Sequence, residues 1–138
     1  MQIEEQLEIK NIPMVGENVD VDAWAQSLGY VIKDGQLMDG HSRAVAISPG
    51  YGAGWSTWND ISPLNPLANL ILLTMINKGD ADEFRTLYER VNGDGSAEEL
   101  YLSLDDVVIE WVPVDKQFRV TEYDGYESIE YRNTQPWL

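Results

Sequence analysis

The chain has 138 residues, with 24 acidic against 9 basic side chains, a net charge of −15, and no cysteine. This length fits one domain, 1–138, able to bury roughly two thirds of its unfolded surface without disulfide or metal support. The composition excludes disulfide frameworks, thiolate zinc sites and cysteine nucleophiles, and the charge argues against a nucleic-acid backbone or an anionic membrane as a direct partner.

The opening MQIEEQLEIK is acidic and lacks an apolar core, which predicts no secretory leader. Ile3, Leu7 and Ile9 suggest a strand over residues 1–9. Asp20 or Asp22 can cap a short helix to about Leu28, with Trp24, Ala25 and Leu28 on one face and Gly29 as its stop. A small hairpin is expected from Tyr30–Ile32 and Gln36–Met38 around Lys33-Asp34-Gly35. Arg43 to Ser48 reads as a strand; Ala44 to Ile47 are all apolar, so it is expected to be buried on both faces.

Next comes ISPGYGAGWSTWN, and then a long apolar segment that predicts the central buried helix. Asn65 is its N-cap, Pro66 its first residue and Gly79 its end. Its apolar run of about ten residues falls short of the roughly twenty that a membrane span needs. Asp80 caps a second helix, Ala81–Val91, whose inner face is Phe84, Leu87, Tyr88 and Val91. After the Asn92–Gly95 turn, strands are expected at Glu99–Ser103 and Val107–Val112. A final hairpin turns at Asp124-Gly125. Its register pairs Phe118 with Tyr131, Arg119 with Glu130, Val120 with Ile129, Thr121 with Ser128, Glu122 with Glu127 and Tyr123 with Tyr126. The predicted fold class is α+β: an antiparallel sheet packed on two or three helices, with a C-terminal β-hairpin.

Charge is unevenly placed. Asp80 to Tyr131 holds fifteen acids and four bases, whereas Asp60 is the only charge between Ala44 and Asn77. Glu122, Asp124, Glu127 and Glu130 crowd the hairpin and form a candidate acidic surface for a basic protein, set against the plainer reading of a solvated hairpin.

In ISPGYGAGWSTWN, Gly50, Gly52 and Gly54 can free backbone N–H groups toward an anion, and Trp55 or Trp58 can stack a ring, with Ser56, Thr57 and Asn59 as further donors. The spacing matches neither a P-loop nor a dinucleotide fingerprint. The competing reading is a tight excursion whose tryptophans fill the core. A nucleotide pocket here needs positive ground from Arg43, with Arg119 or Arg132 reaching it within the fold or across a homo-oligomer interface.

His41 is the sole histidine and lies in a polar turn, with no cysteine to share a metal and no nucleophile elbow in the sequence. NGDGSAEELYLS departs from a calcium loop at Ala97 and Ser103. Neither cofactor nor metal is expected, and no catalytic set emerges.

The segments ISPGYGAGWSTWN, VVIEWVP and FRVTEYDGYESIEY together resemble small proteins encoded by phages and prophages. The resemblance covers the middle and C-terminal two thirds. It implies a phage origin and a place in the host cytoplasm, with no catalytic residue to carry over. Small acidic proteins of that origin often inhibit host systems. The expectation is therefore a non-enzymatic accessory protein that binds a basic host defence protein, in the manner of a nucleic-acid mimic. The alternative is a protein that sequesters a small nucleotide signal with its Gly–Trp segment.

Overall fold

Asp-Gly pairs accept positive φ at little cost and so reverse the chain tightly; the sequence places such pairs at Asp34-Gly35 and Asp124-Gly125. The computed structural model describes residues 14–15, 18–50, 54–75 and 79–132. Gly52 and the strand expected over residues 1–9 lie outside the described residues.

Strands β1 (Met14–Val15) and β2 (Asn18–Val19) form a short antiparallel pair. Helix α1 (Val21–Ser27) starts where the Asp20 carboxylate accepts the Ala23 N–H at 3.0 Å, and the chain turns away at Gly29, φ +88°. Trp24 and Ala25 are buried as expected. Leu28 is exposed instead, because it is the C-cap and no longer follows the helical face. Strands β3 (Val31–Lys33) and β4 (Gln36–Asp39) reverse at Asp34-Gly35, both at positive φ.

Strand β5 (Ser42–Ile47) lies between β4 and β6 (Val108–Pro113), completing an antiparallel sheet of order β3-β4-β5-β6. Helix α2 (Pro66–Thr74) begins as the sequence predicts, with the Asn65 side chain accepting the Ala68 N–H at 3.0 Å. It ends before the expected Gly79, since Met75 is already extended at ψ 127°. Helix α3 (Ala81–Asn92) is capped by Asp80 and buries Phe84 and Leu87.

The strand expected over Glu99–Ser103 does not form. Its backbone is held by a side chain: Tyr101 N donates to Asn59 Oδ1 at 2.7 Å, and Asn59 Nδ2 donates to the Tyr101 carbonyl at 3.1 Å. The Asn59 amide thus takes the place of a strand partner.

Strands β7 (Phe118–Tyr123) and β8 (Tyr126–Tyr131) pair in all six predicted positions. Asp124 at φ +50° and Gly125 at φ +82° give the turn two left-handed residues, the type I′ signature.

The fold is α+β, and β5 explains its layering. Ala44 and Ala46 face the main core, where α2 brings Leu67, Leu70 and Ile71 against the sheet. Val45 and Ile47 face the other way and join Val112 under Phe118, Val120 and Ile129 of the hairpin. Helices cover one face of the four-stranded sheet and the hairpin covers the other, so the central strand is apolar at every one of these positions. Buried Asn69 ties the layers together by donating to the Ala44 and Pro63 carbonyls, both at 3.1 Å.

Candidate functional site

Alternation along β8 carries Glu127 inward with Ile129, toward the loop that leaves β5. Glu127 is 0% exposed. Its Oε1 accepts the Ser48 N–H at 2.9 Å. Its Oε2 accepts the Trp55 N–H at 2.8 Å, the Thr57 N–H at 3.0 Å and the Thr57 hydroxyl at 2.6 Å. Four donors converge on one carboxylate, which is how a buried charge is satisfied by hydrogen bonds.

The glycine-rich loop therefore does cradle an anion, and that anion is the chain's own Glu127. Gly54 is needed at closest approach: a Cβ there would stand 2.5 Å from Thr57 Oγ1 and 3.0 Å from Glu127 Oε2. A Cβ on Gly50 would meet the Asp106 side chain. Trp55 is buried edge-on against Phe84, ring centroids 5.4 Å apart, as the core-filling reading expects.

This placement corrects the acidic-surface expectation for Glu127. The register that puts Val120 and Ile129 in the core puts Glu127 on the same face, and the donors of the loop hold it there. Of the other three acids, Glu130 is exposed and paired with Arg119 at 2.7 Å. Glu122 and Asp124 remain exposed at the hairpin tip.

Trp58 departs from the core-filling reading. It is 49% exposed, its ring lies 6.2 Å from that of Tyr101, itself 59% exposed, and its indole N–H donates to Glu122 Oε2 at 3.3 Å. The same Glu122 oxygen accepts the Gly125 N–H at 2.6 Å, so the indole is tied to the rigid turn. Tyr123 and Tyr126 are also exposed at this tip. Two aromatic faces and the carboxylates of Glu122 and Asp124 thus share one end of the molecule, a chemistry that suits guanidinium and ammonium groups.

Arg43 and Arg119 gather elsewhere. With Arg132 they line a cavity of about 800 Å³ between the base of the hairpin and the sheet. None of the described Gly–Trp residues lines it. The Arg43 guanidinium lies 4.8 Å over the Phe118 ring, and its Nη2 donates to the Lys116 carbonyl at 2.6 Å. Arg132 Nη1 donates to Gln117 Oε1 at 2.7 Å. The alternative ligand set is therefore split: Gly50, Gly54, Trp55, Trp58 and Asn59 belong to the loop held by Glu127 or packed beside it, and the two arginines belong to the cavity.

His41 is exposed in the turn before β5, where its carbonyl accepts the Val114 N–H at 2.8 Å. Among the described residues no helix is long and apolar enough to cross a membrane. Sequence reading named Thr57 as a donor of the cradle, but missed Ser48 beside it, Glu127 as the acceptor, Tyr101 as the neighbour of Trp58, and the cavity itself. The predicted hairpin register already carried the signal for Glu127, because positions 122 and 127 share a face with 120 and 129.

The chain matches no family model, and no curated protein or solved structure is significantly similar to it.

Proposed function

We propose that the protein is a non-enzymatic, phage-encoded accessory protein that acts in the host cytoplasm by binding a basic host defence protein, as a nucleic-acid mimic would. The observation that carries this reading is the exposed Trp58–Tyr101 pair fixed beside Glu122 in a chain of net charge −15. Tryptophan and tyrosine dominate binding energy at protein interfaces. An arginine or lysine of the partner would lie over their faces while Glu122 and Asp124 supply opposite charge. The wider acidity, including exposed Asp94, Glu98, Glu99, Asp105 and Asp106, would steer the encounter.

The nucleotide-sequestering alternative at the Gly–Trp segment has less support, because the N–H groups of Trp55 and Thr57 are engaged by Glu127. A phage-protection assay in host cells tests the proposal. Glu122→Lys with Asp124→Lys should abolish activity in a chain that circular dichroism shows to be folded, with a lower melting temperature because Asp124 sits at φ +50° and Glu122 accepts the Gly125 N–H. Trp58→Ala should abolish it with the melting temperature preserved. Full activity in both variants would contradict it.

A further inference from the structure

The cavity between β5 and the base of the β7–β8 hairpin shares no residue with the surface just described. Its three arginines are a third of the chain's nine basic residues, gathered around one concavity in a strongly acidic protein. Among the described residues that line it, Glu130 is the only acid against three arginines. Its apolar lining is Leu64, Phe118 and Tyr131. Phe118 and Tyr131 are directly paired across the hairpin, which places both aromatic side chains on one face of it. Its volume of about 800 Å³ falls within the ordinary range for small-molecule sites.

The guanidiniums are oriented but not saturated. Arg119 uses Nη2 on Glu130, and Arg132 uses Nη1 on Gln117. Arg43 is held by Gln36 Oε1 through Nη1 and by the Lys116 carbonyl through Nη2, so it contributes charge to the cavity wall. A guanidinium has five N–H donors, so a single side-chain bond from Arg119 or from Arg132 leaves most of the fork for a ligand. We infer that this cavity binds a small phosphate monoester carrying a flat ring, the chemical class of a mononucleotide: the phosphate lies between Arg119 and Arg132, and the ring lies along Phe118 and Tyr131. Glu130 competes with the phosphate for Arg119, so this carboxylate sets the affinity.

Isothermal titration of the full chain with AMP, adenosine and inorganic phosphate tests the assignment at low salt. AMP should bind saturably with a Kd below about 1 mM. Phosphate should bind more weakly than AMP, and adenosine more weakly still. Arg132→Gln should weaken AMP by about tenfold or more, as loss of a charge-assisted contact does. Glu130→Gln should tighten it, an effect that a merely structural role for Glu130 would not give. Both substitutions lie on exposed side chains, and circular-dichroism melts establish that each variant is folded. Absence of AMP binding at 5 mM (about fivefold above that limit) would overturn the proposal. Equal binding of adenosine would overturn the arginine part, and equal binding of phosphate would overturn the aromatic part.

Discussion

Glu127 and Ser48 hold each other twice: the Ser48 N–H donates to Glu127 Oε1 at 2.9 Å, and the Glu127 N–H donates to the Ser48 carbonyl at 2.8 Å. The pair spans 79 positions of sequence and clasps the hairpin to the end of the central strand. It also fixes the tip on which Glu122 and Trp58 sit, since Glu122 is the cross-strand partner of Glu127.

Glu127→Gln keeps the size of the side chain but turns an amide NH2 toward N–H donors. Hydrogen bonds to a charged group contribute about 1.5–3 kcal/mol each, so the variant should lose on the order of 3 kcal/mol. The melting temperature should fall by roughly 10 °C. Glu122→Gln, at an exposed position, should change stability by less than about 1 kcal/mol. Equal loss in both variants would remove the special place of Glu127.

Gly54→Ala tests the closeness of the loop. The added Cβ meets Thr57 Oγ1 and Glu127 Oε2, so the loop or the carboxylate must shift. Overpacking of this kind costs about 1–3 kcal/mol. Chemical denaturation should show a lower midpoint with an unchanged slope.

Gly125→Val tests the turn, where φ is +82°. A β-branched residue in that region costs about 1–2 kcal/mol. Urea titration reads the difference directly, and an unchanged midpoint would argue against the turn geometry.

Leu70 is fully buried on α2, between sheet and helices. Leu70→Ala should cost about 2–5 kcal/mol by leaving a cavity, and Leu70→Asp should unfold the chain by placing an unpaired charge in the core.

Much of this fold was legible in the sequence because its signals are local. Asp20, Asn65 and Asp80 are caps by residue type, and Asp124-Gly125 sets a register that six cross-strand pairs obey. The failures were long-range. Asn59 replaces a strand partner for Tyr101 from 42 positions away, which no pattern in residues 99–103 announces. The glycine segment left two readings open, an anion cradle or a tight core-filling excursion. Local spacing cannot choose between them or say that the N–H groups of Ser48, Trp55 and Thr57 meet a carboxylate 72 positions on from Trp55. Composition suggested that Glu127 is a surface acid, while alternation along β8 placed it inside. The arginine cavity joins β5 to both strands at the base of the hairpin and exists only once those elements are packed.

The most direct measurement is affinity capture of tagged protein from phage-infected host cells, with native mass spectrometry of the recovered complex. The account predicts one basic protein partner that is released at 1 M salt, where the Debye length is about 3 Å. That partner should be absent when the bait carries Trp58→Ala with Glu122→Lys and Asp124→Lys in a folded chain. Recovery of the protein without a partner, or of the same partner on the triple variant, would contradict binding through the Trp58–Tyr101–Glu122 surface.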